Sequence, residues 1–295
     1  MVKKARTARL PAAAPPAGLE RSLYRSVLDI KEGHDLERLA VACYDSESRI
    51  QWSYDADNYF HGASTVKLAV LAGLYGEIAK GRLKRDDPVH VRNRFEGAVD
   101  GQPFTLDLSG EPDPEVARQV GRTLTVRELA YRMITRSSNL ATNLLIDIVG
   151  IATIQRCLED LKIEGILMHR KVQDQAAFEA GLNNEVTADG LLRLLRLVSD
   201  RKAYSPEASQ RMLEILLDQR FKGGIPAGLP DATRVAHKTG NISTVHHDAG
   251  IVFLEGRQPY VLVVLTQFDP SSSRSNAVAE VSRDVFECLS GMTSG

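Results

Sequence analysis

The chain has 295 residues, 43% hydrophobic and 25% charged. That composition fits one large globular domain or two modest ones and excludes bulk disorder, collagen and coiled coil. With 37 basic side chains against 38 acidic ones, the net charge of −1 provides no general attraction to nucleic acid or an anionic membrane, so neither is expected as a partner.

In chain order, residues 1–18 read as a disordered tail. Its Lys3, Lys4, Arg6 and Arg9 are followed by a Pro/Ala run rather than the apolar core of a signal peptide, so the chain as given reads as carrying no export signal. Leu19, Leu23, Val27, Leu28 and Ile30 mark an amphipathic helix ending near Glu32. Two strands follow, Leu39–Tyr44 and Arg49–Tyr54, joined by the polar turn Asp45-Ser46-Glu47-Ser48. Ser64–Lys80 is apolar on nearly every face and predicts a helix buried on all sides. Its apolar run Leu68–Tyr75 is far short of the ~18 residues that a membrane span requires. Residues 92–122, rich in Gly, Pro and Asp, read as a long surface excursion.

Thr125-Val126-Arg127-Glu128 is a capping box that opens a helix through Thr135; another helix runs from Asn139 to Val149 and stops at Gly150. A further helix starts after Thr187. Arg234–His237, Ala249–Leu254 and Tyr260–Phe268 read as strands, and Asn276–Leu289 as a closing helix. Strands at both ends imply a sheet assembled from N- and C-terminal segments. Residues 19–62 and 205–295 would form one discontinuous lobe and 63–204 an inserted helical lobe, with a cleft between them. Cys43, Cys157 and Cys288 are odd in number, far apart and without Cys-x-x-Cys spacing, so no disulfide or zinc ribbon is expected.

Three short motifs could carry chemistry. In Ser64-Thr65-Val66-Lys67 the i, i+3 spacing lets the Lys67 amine reach the Ser64 hydroxyl and, if burial lowers its pKa, activate it. The plain alternative is that Ser64 caps the helix, and Ser199–Lys202 shows that such a spacing also arises in an ordinary charged stretch. Ser137-Ser138-Asn139, at a break between helices, could move a proton and hold an amide, or simply cap the second helix. Lys238-Thr239-Gly240, at the end of a strand, could bind a carboxylate, or be a charged turn.

Taken together and in this order, the three resemble the motif set of class A β-lactamases and penicillin-binding proteins. Met133-Ile134-Thr135, Ala141 to Ile146, Ile225 to Pro230 and Val235-Ala236-His237 extend the likeness over roughly residues 20–290. The resemblance implies an α/β (α+β) fold: an antiparallel sheet of about five strands flanked by N- and C-terminal helices, with an inserted all-helical lobe. It implies that Ser64 is the acylated nucleophile, Lys67 its proton partner and Ser137 a relay of the proton to the leaving nitrogen, with Lys238 holding that path electropositive. Asn139 would hold the substrate's side-chain amide and Thr239 its carboxylate. Gly240 lets the substrate approach, and the N–H groups of Ser64 and Asn241 would form the oxyanion hole.

The implied substrate is a β-lactam or an acyl-D-Ala-like small molecule, handled by a monomer without metal or cofactor. A D-alanyl-D-alanine peptidase or esterase, or a slowly deacylating sensor or trap, are the alternatives on this scaffold. Relatives usually work in the periplasm or outside the cell. There are two departures. Ser138 stands where the family has Asp, a position expected to support the loop. The family's deacylating Glu-x-x-Leu-Asn is matched in letters by Glu179 to Asn183, yet an ungapped count from Ser137 falls at Val172 or Gln173. In that ungapped register Arg170 and Glu185 could clasp the loop as an ion pair. Asp174 is a second candidate base; if neither serves, the acyl-enzyme persists. His246-His247-Asp248 is not expected to bind metal, because adjacent strand residues face opposite ways.

Overall fold

The computed structural model describes residues 17–271 and 276–291. Of the expected tail, residues 1–16 lie outside the described residues, and the rest already belongs to helix α1 (Ala17–Gly33). Leu23, Val27 and Ile30 form its buried stripe. β1 (Arg38–Asp45) and β2 (Gln51–Tyr54) form the predicted hairpin, whose turn is fixed by Asp45 Oδ2 accepting from Ser48 N and Oγ. After β3 (Phe60–His61) a 3₁₀ turn, Ala63–Val66, leads into α2 (Lys67–Ala79). Every residue of α2 from Lys67 to Glu77 is buried, as the all-round apolar pattern requires.

The stretch read as a surface excursion departs from that expectation. β5 (Phe95–Glu96), β6 (Pro103–Phe104) and the single helical turn α3 (Pro114–Ala117) punctuate it, and β4 (Pro88–His90) and β7 (Thr123–Thr125) pair with each other at its two ends. Within it Phe95, Leu106 and Val116 enter the core, next to Val91 just before it, and Glu111 and Asp113 are buried with them. Those apolar residues are spaced too irregularly to show either period.

α4 (Val126–Thr135) opens with both halves of the predicted capping box, and α5 (Asn139–Val149) occupies the predicted span. Gly150, at φ +82, ends α5 and starts α6 (Ile151–Asp160) at once, a conformation that disfavours any residue with a Cβ. β8 (Ile166–Leu167), α7 (Gln175–Glu179) and β9 (Glu185–Val186) follow, with β9 between β3 and β8. α8 (Ala188–Ser199) begins after its Thr187 cap, and α9 (Pro206–Leu217) after Ser205. β10 (Arg234–Ile242), β11 (Val245–Phe253) and β12 (Tyr260–Gln267) precede the closing α10 (Ala277–Gly291).

The main sheet is antiparallel with five strands in the order β10-β11-β12-β1-β2, as the expected fold class requires. Alternation splits its side chains between two cores. Val41, Val252, Leu262 and Val264 pack beneath α1 and α10. Ala40, Ala42, Ile251 and Val263 face α8 and the other helices, with α2 at the centre of that core. β10 is an edge strand, and it packs against the 3₁₀ turn that precedes α2. The three cysteines are free, and among the described residues no single helix is long and apolar enough to cross a membrane.

Candidate active site

Ser64 lies in the 3₁₀ turn before α2, half-buried on the floor of a cleft. The turn is tied by the Gly62 carbonyl, which accepts from Thr65 N (2.9 Å) and Thr65 Oγ1 (2.6 Å). The preceding Ala63 is held at φ +43, a strained value for a residue with a side chain. Neither the turn nor α2 uses a side-chain cap, so the Ser64 hydroxyl is not spent on the helix end. It accepts a hydrogen bond from Ser137 Oγ at 2.9 Å instead.

Lys67 is fully buried at the first position of α2. Its amine donates to Ser137 O (2.6 Å), Ser137 Oγ (3.0 Å) and Asn139 Oδ1 (2.9 Å). The link expected to run directly from Lys67 to Ser64 therefore passes through Ser137. The helix places the amine on the correct face, but the α4–α5 loop offers it three acceptors. Burial, reinforced by the Lys238 cation, holds the Lys67 pKa well below that of an ordinary lysine, and Glu111 opposes the shift.

Ser137 sits between α4 and α5 at φ +59, the second strained residue beside Ser64. Ser138 is buried and caps α5 by accepting from Ala141 N (3.1 Å), the supporting role anticipated for it. Glu111, buried in the misread stretch, also serves this helix end: its carboxylate accepts from Asn139 N at 3.1 Å and Leu140 N at 3.1 Å. A negative charge there also complements the helix dipole.

Lys238 comes from the sheet. β10 does not stop at His237 as expected but runs on to Ile242, which puts Lys238-Thr239-Gly240 within the edge strand rather than at its end. Lys238 Nζ donates to Ser137 Oγ (3.2 Å) and Thr239 O (2.8 Å). Burial pushes its pKa down to about 7, against the pull of Asp248. A Cβ on Gly240 would lie 3.2 Å from Ser64 N and 3.1 Å from Thr65 N, so glycine lets the strand approach the Ser64–Thr65 backbone. Thr239 and Asn241 line the cleft together with Ser64, Ser137 and Asn139. The cleft volume is about 490 Å³, ample for a small molecule.

Residues 24–289 match the model of the Beta-lactamase enzyme family. The chain belongs to that family. A β-lactamase of Streptomyces fradiae is 28% identical over 273 residues, covering 88% of this chain and 84% of that protein. An ancestral class A β-lactamase superposes with a TM-score of 0.75 at 26% identity, over 90% of this chain and 99% of that one. The structure described as PBP-A aligns with a TM-score of 0.80 at 24% identity, over 96% of this chain and 100% of that one, a likeness of fold.

Within this serine β-lactamase framework the loop before α8 carries the two candidate bases, Glu179 and Asp174. Glu179 is exposed on α7, where it accepts from Gln175 Nε2 (2.9 Å), and it does not line the cleft. Asp174 does line it, but its carboxylate is held by Ala177 N (3.1 Å) and Ala98 N (2.8 Å) as a cap and a loop tie. Among the described residues it is the one carboxylate in the cleft lining. Gln173 projects there as an uncharged side chain whose Oε1 accepts from Asp107 N (3.3 Å).

The expected ion pair between Arg170 and Glu185 is absent among the described residues. The loop's neck is closed instead by Asn184, which accepts from His169 N and Arg170 N and donates to Arg170 O. Asn143 on α5 grips Val172 through both its N–H (2.8 Å) and its carbonyl (2.9 Å). None of Glu111, Asn143 or Asn184 was singled out from sequence. Glu111 lies in a Glu-Pro-Asp-Pro segment that reads as a turn, and the two asparagines resemble ordinary loop and helix polar residues.

His247 and Asp248 point to opposite sheet faces. His247 bonds to His61 O (3.0 Å) and accepts from Thr266 N (3.1 Å), and burial lowers its pKa to about 4, so its ring is neutral. Asp248 meets His237 Nδ1 (2.9 Å) and Ile225 N (2.8 Å). No group of His, Cys, Asp and Glu suited to a metal ion occurs among the described residues.

Proposed function

We propose that Ser64 opens the ring of a β-lactam by attack on its carbonyl carbon, and that the resulting ester is hydrolysed slowly. The observation that carries this reading is the chain Lys67–Ser137–Ser64, with Lys238 bonded to the same Ser137 hydroxyl. Burial lowers the Lys67 pKa and so favours its neutral, proton-accepting form, and the Ser64 proton passes to Nζ by way of Ser137 Oγ as the C–O bond forms. The tetrahedral oxyanion then rests against the N–H groups of Ser64 and Asn241. When the C–N bond breaks, Ser137 gives its proton to the ring nitrogen and is resupplied by Lys67. Lys238 and Thr239 anchor the substrate carboxylate, and Asn139 receives the side-chain amide.

Slow hydrolysis follows from the cleft lining. A water attacking the ester needs a free base, and the carboxylate present is already engaged by two backbone N–H groups. Intact-mass measurement after mixing with benzylpenicillin is expected to give a one-to-one adduct that outlives acylation by minutes while product accumulates slowly. Absence of both adduct and product would redirect the reading to a peptidase or esterase. Fast turnover without an adduct would overturn slow deacylation.

The pH dependence follows from Lys238. With a pKa of about 7 it is a cation below that pH and neutral above it, so it holds a carboxylate best on the acid side. The second-order acylation rate reports the free enzyme's ionisations. That rate is expected to fall as pH rises from 7 to 9; a flat profile over this range would remove Lys238 as the carboxylate anchor.

A further inference from the structure

A second cavity, of about 430 Å³, opens between α4 and α9, next to the loop that carries Ser137. Six arginines line it: Arg85, Arg127, Arg132, Arg136, Arg211 and Arg220. Two acidic side chains share the lining, and both are engaged. Glu128 accepts from Thr125 N and Oγ1 at the start of α4, and Glu214 from Gln210 and Arg211. Arg132 is paired with buried Asp113, and Arg127 with Asp86. Arg85, Arg136 and Arg220 have no carboxylate partner among the described residues, and Arg85 Nε is buried without any hydrogen-bond partner.

In a chain of nearly zero net charge, so many guanidiniums in one concavity repel one another. A negatively charged occupant removes that repulsion. A guanidinium fork matches phosphate oxygens in pairs, and several arginines around one volume suit several adjacent phosphoryl oxygens better than one carboxylate. Between the cations, Tyr131, Leu124 and Ile215 offer an apolar wall for the body of an organic ligand, and the Tyr75 hydroxyl lies beside the Arg85 guanidinium.

We propose that this basin binds a small molecule carrying two or more linked phosphates. The site is separate from the cleft at Ser64, and its occupancy does not depend on the acylation chemistry. Inorganic pyrophosphate is the probe: calorimetric titration of the full chain at fixed ionic strength is expected to show one saturable site with a submillimolar Kd. Binding persists in Ser64→Ala and weakens at least tenfold in Arg220→Gln, an exposed position whose substitution leaves the core untouched. Arg85→Gln, checked for folding by circular dichroism, weakens it similarly. Failure to saturate, or binding of full strength in folded Arg220→Gln, would overturn the proposal.

Discussion

Ser64→Ala is expected to abolish the penicillin adduct and to lower β-lactam turnover by a factor on the order of 10³–10⁶, the range for removal of a nucleophile that acts as part of a coupled unit. The hydroxyl has no structural duty to lose: no helix cap depends on it, and its one hydrogen bond comes from Ser137. The variant should therefore unfold at the wild-type temperature while being inert, and a melting curve beside the mass spectrum separates the two effects. Lys67→Ala should be nearly as inactive but less stable. It empties a fully buried position and deprives Ser137 O, Ser137 Oγ and Asn139 Oδ1 of their shared donor. Wild-type adduct formation by Ser64→Ala would assign the nucleophile elsewhere.

Gln173→Glu is expected to act in the opposite direction, shortening the life of the acyl-enzyme. Gln173 lines the cleft, is exposed, and differs from glutamate by one terminal group, so the change adds a base at little cost in packing. A positioned general base contributes roughly 10²–10⁴ in rate. Decay of the preformed penicillin adduct, followed by mass, should accelerate by at least about 10², with the acylation step nearly unchanged. Unchanged decay would mean that water at the ester is limited by access rather than by the want of a base. Gln173 is held at φ +61, and its amide oxygen accepts from Asp107 N, a bond that a carboxylate also accepts.

The parts of this site legible in sequence are those whose geometry is local. Ser64 and Lys67 are fixed by one helical turn, Ser138 and Asn139 by the start of α5, and the order of the three motifs by the family they resemble. The strands could be placed because apolar, β-branched runs at both ends are split by turn residues, while their number and antiparallel order came from the family resemblance. What escaped depends on long-range burial. Glu111 is far in sequence from the α5 N–H groups it serves, and nothing local distinguishes it from the exposed acids around it. The route from Lys67 through Ser137 depends on which acceptors a distant loop offers. The length of β10 is fixed by its pairing with β11 as far as Ile242↔Val245, not by the turn-like letters Lys-Thr-Gly. Helices α6 and α9 were missed as well, although α9 carries a Ser cap and a Pro at its start.

The pairing of β1 with β12 has a consequence for biosynthesis. Arg38 meets Gln267, so a strand made early must wait for one made more than two hundred residues later before the middle of the sheet exists. At ordinary translation rates that interval lasts tens of seconds, during which the β1–β2 hairpin leaves the ribosome with one edge unsatisfied. Such distant strand partners also make folding slow. A chain cut between Phe253 and Tyr260 would lose the strand between β11 and β1, dividing the sheet and leaving the hairpin that carries the lysine at 238 unpaired with the rest of it.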